Sequence, residues 1–176
     1  MATTATTAAF VAVGSNINPE ENIPEALARL HAQAPLVALS AFYITPPIAR
    51  PGQADYYNGM AVVTSACSAR VFKYEVLRPI EDALGRVRTG DKFAARTIDL
   101  DIALYGSAVI DEPGLRVPDA DLRRRPFLLA CLVELAPAMV LPDTGERASA
   151  LISPETVARL RPAATFTQRL RERFGL

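Results

Sequence analysis

One histidine, His31, and two cysteines, Cys67 and Cys131, are too few ligands for a Cys/His zinc site. Both cysteines sit in apolar runs and read as core thiols. No apolar run approaches the roughly 20 residues of a membrane-spanning helix. The stretch Met1 to Ala9 is small and polar, without the basic start and apolar centre of a secretory signal. A cytoplasmic protein with no membrane partner is therefore expected. Neither sign of charge is in excess: 19 Lys and Arg face 19 Asp and Glu, so no global field draws the chain to nucleic acid or an anionic surface. Any charge-based function has to be local.

What is present suits one packed domain. Half of the 176 residues are hydrophobic and 22% are charged, an ordinary globular balance. Phe10 to Val13 reads as a strand ending at Gly14-Ser15-Asn16, and Pro19 to Gln33 carries apolar positions at helical spacing. Leu36 to Ile44 reads as a strand up to Thr45-Pro46-Pro47, followed by a loop to Asp55 and a strand from Tyr56 to Thr64. Ser68 can cap a helix towards Leu84, with Pro79 either breaking its ladder or starting a second helix. A strand over Thr97 to Tyr105, a Pro-rich turn around Pro113 and Pro118, a helix near Pro126 to Leu135 and a helical tail from Pro154 complete the reading. Strand, helix, strand, strand, helix, strand is the order of a ferredoxin-like α+β sandwich: an antiparallel sheet with helices on one face and appended C-terminal helices. The core is expected over about 10–143, with 144–176 as the helical tail of the same domain.

The chemistry concentrates in Arg96-Thr97-Ile98-Asp99-Leu100-Asp101-Ile102. On a strand, Ile98, Leu100 and Ile102 share one face and Asp99 and Asp101 the other, roughly 6 to 7 Å apart. Such carboxylates repel unless a cation neutralises them, and Mg²⁺ bridged to phosphate oxygens does so; the plain alternative is a solvated acidic edge. Arg86, Arg88, Lys92 and Arg96 precede them. Arginine forks with Mg²⁺ are the usual parts of phosphoryl-type transfer, and a charged loop bridged to its own strand is the alternative. The loop 86–95 is expected to be mobile without ligands, its like charges gaining partners only from phosphate. Gly85 and Gly90 have the P-loop spacing, but Asp91 stands where that motif needs lysine. Gly14-Ser15-Asn16 reads as a structural turn. Tyr56 and Asn58, at i and i+2, can share a strand face and offer a ring and an amide to a flat heteroaromatic substrate. An RNA-binding module of similar topology needs a basic sheet face, which the Asp99/Asp101 strand opposes.

Five blocks in register carry a resemblance: Val-Gly-Ser-Asn at 13–16, Phe-Tyr-Ile-Thr-Pro-Pro at 42–47, Asp-Tyr-Tyr-Asn at 55–58, Gly-Arg-Val-Arg at 85–88 and Arg-Thr-Ile-Asp-Leu-Asp-Ile at 96–102. Over about Phe10 to Asp143 the chain resembles the 6-hydroxymethyl-7,8-dihydropterin pyrophosphokinases. The resemblance implies a ferredoxin-like fold, a monomer, and transfer of pyrophosphate from ATP to a pterin alcohol in folate biosynthesis. It implies that Asp99 and Asp101 bind two Mg²⁺ ions, that Arg86 and Arg96 stabilise the transferring group, and that Asp101 accepts the hydroxyl proton. Glu81, Arg88, Phe93, Ile102, Leu115 and Arg125 match ATP-side positions. Thr45, Pro46, Pro47, Ile48, Tyr56, Asn58 and Phe127 match the pterin side. Asp119-Ala120 stands where the family usually carries a histidine pair, Phe93 where tryptophan is common, and Gly114 where some members carry a basic residue. Asp119 is expected either to face the cleft and repel triphosphate, or to cap the next helix or pair with Arg123.

Overall fold

Residues 6–48, 50–91 and 93–176 are described by a computed structural model. The first apolar run forms β1 (Thr7–Ser15), an interior strand of the sheet. Asn18, in the left-handed region at φ 44°, turns the chain into α1 (Pro19–Gln33), whose Ile23, Ala26, Leu27 and Leu30 are buried. The single strand expected over Leu36 to Ile44 is two strands, β2 (Leu36–Leu39) and β3 (Tyr43–Thr45), both antiparallel to β4 (Tyr56–Ser65). Ser40 accounts for the break. Its hydroxyl accepts the Met60 N–H at 2.9 Å, so a side chain takes a bond that the ladder would otherwise make.

Ser68 caps α2 (Ala69–Val71) by accepting the Val71 N–H at 3.3 Å. The helix then widens into a π turn over Phe72–Leu77 and resumes as α3 (Arg78–Ala83), with Pro79, which has no N–H to give the ladder, close to the change from π to α spacing. Next come β5 (Asp99–Tyr105) and a hairpin, β6 (Ile110–Glu112) and β7 (Leu115–Val117), where the sequence suggests only a turn. The remainder is α4 (Asp121–Arg124), α5 (Pro126–Leu135), a 3₁₀ turn at Ala148–Leu151, α6 (Pro154–Ala158), β8 (Arg161–Pro162) and α7 (Ala164–Phe174).

The main sheet runs β5-β1-β4-β3-β8, with β2 on another stretch of β4, and every pairing is antiparallel. On one face α1, the α2–α3 segment and α7 bury Val11, Val13, Leu100 and Ile102 against Leu27, Phe72, Ile80, Phe166 and Leu170. The tail is part of this core: the Phe166 ring meets Phe42 and Tyr57 edge-on at 5.5 and 5.1 Å, and Thr167 Oγ1 accepts the Phe42 N–H. The expectation of helices on one face needs correction. Helix α5, apolar almost throughout, packs Leu128, Cys131 and Leu132 on the opposite face against Phe10, Met60, Val62 and Leu104. A register shift between Phe10 and Val11 adds one residue to β5, so Leu104 joins this second layer while Leu100 and Ile102 stay in the first. Helix α5 covers only the half of that face carrying these apolar residues. The other half is polar and forms the floor of a cleft.

Candidate active site

Strand register sets the cleft floor. Gly14 of β1 lies opposite Asp99 of β5 on one side and Asn58 of β4 on the other, and Ala12 lies opposite Asp101 and Met60. The acidic strand is therefore two strand spacings, roughly 10 Å, from the amide. Gly14 leaves room for this amide, since a Cβ there would stand 2.6 Å from Asn58 Oδ1 and force the Asn58 side chain to move. Over this floor opens a cavity of about 630 Å³ that Asp99, Asp101, Arg96, Tyr56, Asn58, Thr45 and Phe127 help to line. The size and the mixture of rings with convergent polar groups suit small-molecule substrates.

Each carboxylate of the acidic strand already has a cation. Arg96 Nη1 lies 2.6 Å and Arg86 Nη2 3.3 Å from Asp99, and Lys73 Nζ lies 3.3 Å from Asp101. Burial raises the Asp99 carboxyl above the ordinary range and the like charge of Asp101 adds to it, while Arg96 and Arg86 pull the other way. Behind them Glu81 is 2% exposed. It accepts the Leu100 N–H at 3.0 Å and pairs with Arg88, which also reaches Asp82 at 2.6 Å. Burial, aided by Asp99 and Asp101, pushes Glu81 up to about 7 against the Leu100 N–H and Arg78.

The arginine loop is tied down by its neighbours. Asn16 Oδ1 accepts the Arg96 N–H at 2.8 Å, and the Asn16 and Ile17 N–H groups donate to Arg96 O. Gln53 donates to Phe93 O at 3.3 Å, Tyr56 Oη to Ala94 O at 3.4 Å, and Arg50 pairs with Asp91. The idea that these charges gain partners only from phosphate is thus corrected: Arg86, Arg88 and Arg96 all meet protein carboxylates. Lys92 lies outside the described residues.

Of the other residues singled out in the sequence, Pro46, Ile48, Phe93 and Arg125 line the cavity. Asn58 donates to Thr45 Oγ1 at 2.8 Å, joining the amide to the Thr45-Pro46-Pro47 turn, and the Arg96 guanidinium lies 5.9 Å from the Tyr56 ring centre. The side chains of Ile102 and Leu115, each 2% exposed, point into the helix-side core, so a ligand could meet only their backbone. Asp119 has both of the placements weighed for it. Its Oδ1 accepts the Asp121 N–H at 2.7 Å and its side chain also lines the cavity, whereas Arg123 pairs with Asp143. Burial raises the Asp119 carboxyl, with Asp101 and Asp121 adding like charge against the Asp121 N–H. Sequence reasoning missed Lys73, 28 positions before its partner, and the clamping role of Asn16, whose block was read as a plain turn.

The donor set fits Mg²⁺. Asp99 and Asp101 offer hard oxygens from one strand face, and among the described residues no group of three or more His, Cys, Asp or Glu is placed to cage an ion. Mg²⁺ is commonly held this way, by one or two carboxylates with substrate phosphates and water completing its shell. Arg86 Nε is buried without a partner among the described residues, a donor that an anion could satisfy.

Residues 10–137 match the family described as 7,8-dihydro-6-hydroxymethylpterin-pyrophosphokinase (HPPK). A 2-amino-4-hydroxy-6-hydroxymethyldihydropteridine pyrophosphokinase of Haemophilus influenzae is 37% identical over 139 residues, 77% of this chain and 86% of the relative. One from Pseudomonas aeruginosa is 38% identical over 137 residues, 76% and 83% of the two chains. Among solved structures, Plasmodium falciparum HPPK-DHPS with STZ-DHP superposes on 97% of this chain with a TM-score of 0.65 at 13% identity, a likeness of fold. This chain spans 45% of that one.

Proposed function

This chain belongs to the 7,8-dihydro-6-hydroxymethylpterin-pyrophosphokinase family, and we propose that it transfers pyrophosphate from ATP to the hydroxymethyl oxygen of 6-hydroxymethyl-7,8-dihydropterin in folate biosynthesis. The observation that carries the site assignment is the register of the cleft floor, which sets Asp99 and Asn58 on either side of Gly14. A triphosphate over the carboxylates and a pterin over the amide would then be neighbours. The order of the main sheet and its two helical crossovers support reading the fold as a ferredoxin-like sandwich, and the burial of α7 in the common core supports a single domain. A cytoplasmic monomer goes with that chemistry.

In this reading Tyr56 and Phe127 flank the pterin ring, and Asn58, held by Thr45, reads its edge. The hydroxymethyl oxygen attacks the β-phosphorus of ATP. A new O–P bond forms as the bond from the β-phosphorus to the α,β-bridging oxygen breaks, AMP leaves, and the hydroxyl proton passes to the Asp101 carboxylate. Asp99 and Asp101 would hold Mg²⁺, two ions being the proposed count, and the metal supplies charge neutralisation of the triphosphate. Arg96 and Arg86, released in part from Asp99, meet the charge that develops on the transferring group. Arg88, steered by Glu81, and Arg125 bind ATP, with Phe93 against its base. The test supplies ATP, Mg²⁺ and the hydroxymethyldihydropterin and identifies the nucleotide product. AMP is expected; ADP would mean simple kinase chemistry, and no turnover at millimolar ATP would refute the reading.

A further inference from the structure

Four aspartates, Asp99, Asp101, Asp119 and Asp121, line one cleft. Asp119 is fixed beside the acidic strand, since its N–H donates to Ala103 O at 3.0 Å, two residues along β5 from Asp101. The cations are shared unevenly: Arg86 and Arg96 both meet Asp99, and the ion pair of Asp101 is with Lys73. Lys73 comes from the opposite side of the sheet. It lies in the π turn, between Phe72, buried against Tyr105, and Tyr74, whose hydroxyl donates to Gly114 O in the β6–β7 hairpin. Strand β5 ends the main sheet, so a side chain from the helix layer can pass its open edge to the cleft. The Lys73 side chain is only 13% exposed, too enclosed for an incidental surface pair.

We propose that Lys73 is a positioning residue that acts through Asp101: it is the internal counter-ion of the acidic cleft, holding Asp101 in the metal-free protein and weakening metal uptake by that carboxylate until nucleotide brings further negative charge. The inference rests on reading Asp99 and Asp101 as the metal carboxylates. A fixed positive charge against a ligand oxygen opposes a divalent ion, and removing it in a cleft open to water strengthens binding roughly tenfold. The arrangement thus couples metal entry to ATP.

Mn²⁺ titration of the nucleotide-free protein, followed by the paramagnetic resonance signal of the free ion, tests this. Lys73→Gln should bind Mn²⁺ roughly tenfold more tightly than wild type, Lys73→Arg should bind as wild type does, and Asp101→Asn should bind more weakly. General damage to the fold would weaken binding, so a tighter Lys73→Gln separates charge removal from a structural role. Lys73→Met, which keeps the aliphatic stem, repeats the test if the glutamine variant does not fold. Lys73→Gln or Lys73→Met binding no more tightly than wild type, with Asp101→Asn weakened, overturns the proposal and leaves the metal reading standing. Asp101→Asn binding Mn²⁺ like wild type overturns the metal reading, and the proposal with it.

Discussion

Glu81 is buried under the acidic strand, and replacing it by glutamine should trade function for stability. The Leu100 N–H and Arg78 favour its charged form, yet burial and the nearby Asp99 and Asp101 outweigh them and push it up to about 7 from 4.5. The folded pKa therefore lies above the unfolded one. Between pH 4.5 and 7 the folded chain keeps a proton that the unfolded chain has lost, so the stability linked to this group is fully present below pH 4.5 and falls as pH rises to 7. At roughly 1.4 kcal/mol per pH unit the gap corresponds to about 3 kcal/mol. Glutamine still accepts the Leu100 N–H but gives up the pair with Arg88, a group about one third exposed and worth about 1 kcal/mol after solvent screening. Glu81→Gln should then be more stable than wild type by about 1 to 2 kcal/mol at pH 8. It should also show a flatter stability profile between pH 4.5 and 7. Arg88 loses its anchor, so the KM for ATP should rise several-fold. Urea denaturation across this pH range, with steady-state kinetics at pH 8, measures both. A variant no more stable than wild type at pH 8, with an unchanged profile, refutes the reasoning.

What could be read from the sequence followed from local periodicity. Asp99 and Asp101 alternate with Ile98, Leu100 and Ile102 at the strand period, so their common face follows from spacing alone. Tyr56 and Asn58 follow in the same way, and both pairs line the cavity. The bulge that lets Leu104 change layers leaves no such mark, because a one-residue register shift is set by the partner strand. Ser40 splits an apolar run through a bond to Met60, 20 residues away, which no window around Leu36 to Ile44 contains. Charge pairing was hidden for the same reason. Arg86, Arg88 and Arg96 look alike in sequence, but only the fold sets Glu81 and Asp82 beside Arg88 and Asp99 beside the other two. Ile102 and Leu115 carry apolar side chains, which the core claims before any ligand can.

Asp99→Asn and Asp101→Asn should each cut turnover by roughly two orders of magnitude or more with the fold intact, and near-normal turnover in either removes the metal role from that residue. Arg96→Ala should lower kcat by roughly a hundredfold, whereas Arg88→Ala should mainly raise the KM for ATP; the reverse pattern in steady-state kinetics would mean that their roles are exchanged. Asp119→Asn keeps an oxygen for the Asp121 N–H but removes a charge from the cleft wall, so the helix start should survive while ATP binds about fivefold more tightly and with less salt dependence, from about 1 kcal/mol of screened repulsion. Isothermal titration with ATP decides it: unchanged affinity would mean that the carboxylate acts only as a cap, and a sharp loss would mean that Asp119 itself contacts the nucleotide or its metal.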